Sequence, residues 1–213
     1  IQYGLDGNDY LFYSGGSSAN MHGGAGDDWL TTTGIGGFLD LYGDNGNDLL
    51  EGHPTSSSGD YMYGGLGNDA LSGYAGEDIL DGGQEVDRLD GGDGADILLG
   101  GEGNDGNASI TVATGLVTMA GLFGGAGNDF LDGGRGNDWL YGGDGIDTVI
   151  GGEGDDVISG DAGDDWLYGG NGNDNFYGGA GLDVSIGGEG VDVAVMNDGN
   201  DVSYGEGGND YFY

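Results

Sequence analysis

The stretch GGAGNDFLD-GGRGNDWLY-GGDGIDTVI-GGEGDDVIS, residues 124–159, is one nine-residue phrase written four times. Gly stands at its first and second positions and at its fourth, Asp at the sixth (Asp129, Asp138, Asp147, Asp156), and a large apolar residue at the eighth (Leu131, Leu140, Val149, Ile158). A short fixed period marks a repeat architecture, in which no unit buries its apolar face alone and stacked neighbours build a continuous core. The last three positions read as a short strand. Side chains alternate along a strand, so position eight points inward and positions seven and nine point outward. Glycine opens backbone angles closed to other residues, which lets carbonyl oxygens converge on a cation.

Outward from this stretch the phrase continues unbroken to Tyr213, in ten copies that start at Gly124. Five more start at Gly64, Gly73, Gly82, Gly91 and Gly100, and single copies start at Gly4, Gly23 and Gly43. All eighteen carry Asp at position six: Asp9, Asp28, Asp48, Asp69, Asp78, Asp87, Asp96, Asp105, Asp129, Asp138, Asp147, Asp156, Asp165, Asp174, Asp183, Asp192, Asp201 and Asp210. Degenerate copies fill the spacers at 14–22, 34–42, 55–63 and 115–123, with Met21, Leu41, Met62 and Leu122 inward. Only one of these keeps the carboxylate, Asp60, whereas Ala19, Leu39 and Ala120 replace it in the others. The remaining residues near 32–33, 52–54 and 109–114 read as loop insertions in a single domain spanning 1–213.

The pattern Gly-Gly-x-Gly-x-Asp-x-U-x, with U apolar, resembles that of the RTX (repeats-in-toxin) family over essentially the whole chain. The resemblance implies an all-β, right-handed parallel β-roll (a β-helix or solenoid), two repeats per turn. It also implies calcium between the turn segments of repeats k and k+2, bound by backbone carbonyls and the position-six Asp. The nineteen aspartates named above, Asp60 included, are the expected metal ligands. Counting strands gives about eleven turns of two short strands, roughly 50 Å of rod at about 4.8 Å per strand.

Composition agrees. The chain of 213 residues holds 57 Gly, one Pro and no Cys, and 39 acidic residues against two basic ones, for a net charge of −37. Such charge opposes any compact state and excludes nucleic acid as a partner, since phosphates need basic surface. Anionic membranes are disfavoured likewise. Disulfides and thiolate metal sites are excluded too. No apolar run is long enough for a transmembrane helix. An aromatic content of 10% is unusual for a disordered acidic chain. A hard divalent cation with oxygen ligands would neutralise the carboxylates and allow packing, and the carbonyl-rich turns favour calcium over magnesium.

Nothing in the sequence points to catalysis. His22 and His53 are far apart in the repeat map and read as loop or surface residues, and Ser56-Ser57-Ser58 lacks a nucleophile-elbow context. The expected function is therefore a calcium-binding module of a secreted, extracellular or cell-surface bacterial protein, exported unfolded by type I secretion and folding on calcium outside. The alternative is a structural spacer or a self-assembling segment of a filament, surface layer or adhesin. Ile1–Tyr3 resembles the strand of a preceding turn, and the apolar outward residues either contact another module or chain, or are simply the β-formers of flat sheets.

If residues 115–123 form a turn segment of their own, the repeats starting at Gly4, Gly23, Gly43, Gly64, Gly82, Gly100 and then Gly124, Gly142, Gly160, Gly178 and Met196 share one side of the roll. That side would carry ten ions. The other side, broken by the degenerate copies, would carry two and then four, for about 16 Ca2+ in all and a residual charge of about −5.

Overall fold

Successive strands fall alternately in the two sheets of a thin solenoid. The computed structural model describes all residues except 17, 34, 35, 107, 108, 112–116 and 120, and the backbone alone for 109–111 and 117–119. It contains two parallel eleven-stranded sheets and no helix among the described residues. One sheet begins with Gln2–Tyr3, Ala19–Ala25 and Leu39–Asn45 and ends with Val202–Gly207; the other begins with Tyr10–Tyr13 and Trp29–Thr32 and ends with Tyr211–Phe212. One strand from each sheet makes a turn, so the chain winds through about eleven.

Position eight forms the core, as the alternation requires. Leu131, Leu140, Val149, Leu167 and Ile158 are fully buried and Phe176 is nearly so. Met21, Leu41, Met62 and Leu122, from the degenerate copies, are fully buried in the same cluster. Burying one such side chain is worth about 1.5–3 kcal/mol. The core is one side chain thick, and toward the C-terminus it thins to Ser185 and Ala194, with Ser185 donating to or accepting from Ser203 across 2.8 Å.

The strands are longer than the triplets of the sequence pattern. Phe130–Arg135 is typical: it pairs with the next strand of its sheet through Phe130↔Thr148 and continues to Gly134↔Gly152 and Arg135↔Glu153. The first glycines of each phrase are thus part of the ladder, because their backbone groups still need partners.

The register around residue 120 differs from the expected one. Gly121–Phe123, the end of the turn segment expected at 115–123, do not open a turn of their own. The strand Gly121–Ala126 pairs with Arg88–Asp93, Gly121 opposite Arg88, and the Gly121 N–H donates to the Asp87 carbonyl (3.0 Å). Gly121-Leu122-Phe123 is therefore the strand triplet that belongs after Asp105, displaced by an insertion. Within that insertion Ser109–Thr111 and Val117–Met119 pair antiparallel, apart from both large sheets. Because the insertion adds no turn, every later strand lies in the sheet opposite to the one expected. Phe130–Arg135 pairs with Ile97–Glu102. The count of eleven strands per sheet survives because Gln2–Tyr3 supplies the missing one. Ala120 falls outside the described residues.

Removing residues 106–120 joins Asp105 to Gly121 and restores an unbroken phrase. The shortened protein is expected to reach the same far-UV circular dichroism spectrum in calcium as the parent. Loss of cooperative folding in that variant would contradict this register.

Candidate metal centre

Each Asp of the phrase sits where a turn enters a strand, and its carboxylate reaches back along the roll. The Asp9 N–H donates to Oδ1 of Asp28 (2.7 Å), Asp28 to Asp48 (2.7 Å), and the line runs on through Asp69, Asp87 and Asp105. It crosses the insertion by Asp105 donating to Asp138 (2.7 Å), and continues through Asp156, Asp174 and Asp192 to Asp210. A second line runs from Asp60 through Asp78, Asp96, Asp129, Asp147, Asp165 and Asp183 to Asp201. One side of the roll thus carries eleven aspartates in register. The other carries eight without a break, preceded by Ala19 and Leu39. The second gap expected near 115–123 does not exist, because the insertion leaves the parity of the turns unchanged.

The other carboxylate oxygen is the informative one. Among the described residues, Oδ2 is buried and without a hydrogen-bond partner at Asp28, Asp48, Asp69, Asp87, Asp105, Asp138, Asp156, Asp174 and Asp192 on the first line. The same holds at Asp78, Asp96, Asp129, Asp147, Asp165 and Asp183 on the second. A buried carboxylate oxygen with no partner is expensive, and fifteen of them in register suit a row of cations. The phrase's first glycine faces this oxygen: a methyl group on Gly133 would lie 2.7 Å from Oδ2 of Asp138 and 2.7 Å from the carbonyl oxygen of Gly151 on the next turn.

Among the described residues no three acidic or histidine side chains converge on one point. A cation held here would take its charge from the ladder aspartates and its remaining oxygens from turn carbonyls. That donor set, all oxygen and mostly neutral, suits calcium, which accepts six to eight oxygens in flexible geometry. The residues fit the ion: Oδ2 of the aspartates and the turn carbonyls would hold it, and it would supply the positive charge the ladder lacks.

Electrostatics report the same deficit. Burial pushes the Asp87 carboxyl up to about 9, reinforced by the charge of Asp69. Burial likewise raises Asp48 and Asp138 to about 8, and Asp69, Asp165 and Asp174 to about 7, in each case against a lowering backbone hydrogen bond.

An outer ladder parallels the inner one and was not anticipated. Position five is often Asn or Asp, and its Oδ1 accepts the N–H of position five on the next turn. Asn47 thus donates to Asp27 (2.9 Å), Asn68 to Asn47 (2.8 Å), Asp155 to Asn137 (2.9 Å) and Ile146 to Asn128 (2.9 Å). The recurrence of Asn or Asp at this position was the available signal. The two histidines differ from expectation in one respect: His22 is on a strand, stacked between Tyr3 and Tyr42 at 5.2 and 4.5 Å, whereas His53 lies in a loop yet is buried.

The fold and the carboxylate ladders define a calcium-binding β-solenoid. Comparison with known families agrees: the model of the RTX calcium-binding nonapeptide repeat matches residues 40–53, 55–89, 73–106, 122–149, 141–176, 150–184, 159–194 and 177–212. The chain belongs to that family. No curated individual protein matches it.

The raised carboxyl values carry a sign. Folded values above the unfolded value of about 3.8 mean that folding without metal takes up protons. That contribution is fully present below about pH 3.8 and is lost as pH rises through about 6 to 9. In chelator, acidifying from about pH 8 to about pH 4 is expected to increase the β signal, whereas the calcium affinity of the folded roll falls over the same range as protons compete for Oδ2. An unchanged chelator spectrum across that range would contradict the burial assigned to these carboxylates.

Proposed function

We propose that this roll is a calcium-triggered folding module of a secreted bacterial protein, non-catalytic itself and carried unfolded through a type I export channel. The observation that carries the reading is the fifteen buried, unpartnered Oδ2 atoms. Without metal, their repulsion and the entropy of ordering 57 glycines keep the chain open. Outside the cell, calcium is abundant enough to fill sites of roughly 10⁻⁴–10⁻³ M affinity. At ten times its dissociation constant each ion contributes about 1.4 kcal/mol by mass action, and the sites act together because each ladder Asp serves adjoining turns.

The ligands of this proposal are the ladder aspartates, one ion per interval between turns. Ten intervals lie on the side running from Asp9 to Asp210 and seven on the side from Asp60 to Asp201. That gives about 17 ions, close to the 16 expected from the incorrect parity but differently distributed. The residual charge becomes about −3. A second role is favoured by the uninterrupted eleven-stranded sheets: a calcium-filled rod of this length would also serve as a stiff spacer between surface modules.

Far-UV circular dichroism should show coil in excess chelator at neutral pH and β-structure in millimolar calcium. A folded spectrum in chelator would sink the mechanism. Asp147→Ala removes a ladder carboxylate, whereas Glu153→Ala alters only the exposed third position. The Asp147 variant should need more calcium to reach half-folding than the Glu153 variant, and coincident titration curves would refute the assignment.

A further inference from the structure

The second ladder stops at Asp60, and its surroundings there differ from every interior position. Interior aspartates give Oδ1 to the N–H of the preceding turn's Asp and leave Oδ2 bare. Asp60, only 2% exposed, leaves neither oxygen bare. Its Oδ1 accepts the N–H of Leu39 (3.0 Å), the residue that replaces Asp on the preceding turn, and its Oδ2 accepts the N–H of His53 (2.9 Å).

His53 follows Gly52, which occupies the place of the phrase's first glycine: a methyl there would lie 2.8 Å from Oδ2 of Asp60 and 2.7 Å from the Gly73 carbonyl oxygen. The imidazole is 3% exposed and spans to the preceding turn of the same side, where Nε2 accepts the N–H of Gly36 (3.3 Å). That contact places the imidazole proton on Nδ1, which is buried without a partner among the described residues. The loop from Gly52 to Asp60, three residues longer than the stretch from first glycine to Asp in an intact phrase, brings the imidazole between two turns.

We infer that His53 and Asp60 form a metal-free clasp that joins the turn at 52–60 to the turn at 36–39 in the place where other turns are joined through calcium, and that Asp60 is a hydrogen-bond anchor rather than a calcium ligand. The inference rests on the calcium reading of the ladders and narrows it: the second ladder's first liganding carboxylate is Asp78, so six of the seven intervals on that side hold ions and the total falls from about 17 to about 16. His53 is a positioning residue, acting on the ladder through Asp60. The side of the roll that carries Ala19 and Leu39 then needs no ion in its first turns. Their order there derives from backbone hydrogen bonds and from the ions of the opposite side.

Crystals of the full chain grown in calcium, measured where calcium scatters anomalously, test this directly. The expected map has a peak against the carboxylate of Asp78 and of each following aspartate through Asp183, and none against Asp60. In solution, Asp60→Asn should bind as much calcium as the parent, whereas Asp78→Asn should lose at least one ion. Hydrogen exchange at the Gly36 amide in calcium should quicken about tenfold in His53→Ala, the size expected for one lost hydrogen bond. His53→Gln, which keeps an acceptor, should restore much of the protection. The side-chain nitrogen spectrum of His53 should show a protonated Nδ1 and a bare Nε2. A calcium peak on Asp60, or equal calcium loss in Asp60→Asn and Asp78→Asn, overturns the clasp and leaves the ladders standing. An absence of ions at Asp78 and beyond would instead overturn the ladder reading itself.

Discussion

A carboxylate placed inside a protein without a counter-charge is among the costlier arrangements a chain can adopt, and this fold repeats it at every turn. The interior aspartates project one oxygen toward the backbone of the neighbouring turn and hold the other where no donor reaches it. The cost of desolvating one carboxylate is several kcal/mol even after relaxation, which exceeds what the single buried apolar side chain of the same repeat contributes. The roll therefore cannot be held by its core. A cation would offset the carboxylates, and a net charge of −37 with an all-oxygen donor set suits one.

The turn geometry follows from the same requirement, and it overrides residue preference. The second position of the phrase adopts a left-handed backbone even where Gly is absent: Asp44, Tyr74, Asp161, Asn197 and Glu206 have φ between 63° and 73°. Glu85 does the same at the fourth position with φ 76°. Such conformations cost of order 1–3 kcal/mol for residues other than glycine. They persist because carbonyls and amides of stacked turns must meet in register. The outer ladder of Asn and Asp side chains at position five reinforces that register by satisfying turn amides that would otherwise face water alone.

The two sides of the roll are unequal. One side carries a ladder the full length of the chain. The other begins with turns lacking the carboxylate, where Leu39 and Ala19 are buried instead and an imidazole occupies the space between turns. On that edge the first turns are joined by hydrogen bonds such as Leu39 N–H to Asp60, whereas further along both edges carry the aspartate ladder.

Much of this was legible in the residues. The nine-residue period specified a solenoid, the Gly and Asp positions specified the turns and their chemistry, and the alternation at positions seven to nine placed Leu131, Leu140 and the degenerate-copy residues Met21, Leu41 and Met62 in the core. Those features are local: each is dictated by backbone angles, side-chain direction or charge within one phrase. What a single phrase does not contain is which turn stacks on which. Residues 115–123 resemble a damaged repeat because Leu122 satisfies the inward position, yet the pairing of Gly121 with Arg88 makes them the delayed end of the preceding one. Likewise the carboxylate of Asp60 has the right place in its phrase, and only its approach to the amides of Leu39 and His53 distinguishes it from its counterparts. Strand register and the partners of a buried oxygen are set by contacts 18 to 33 residues apart along the chain, so they were decided by the tertiary structure, where hydrogen bonds between turns select one stacking from several that the periodic pattern permits.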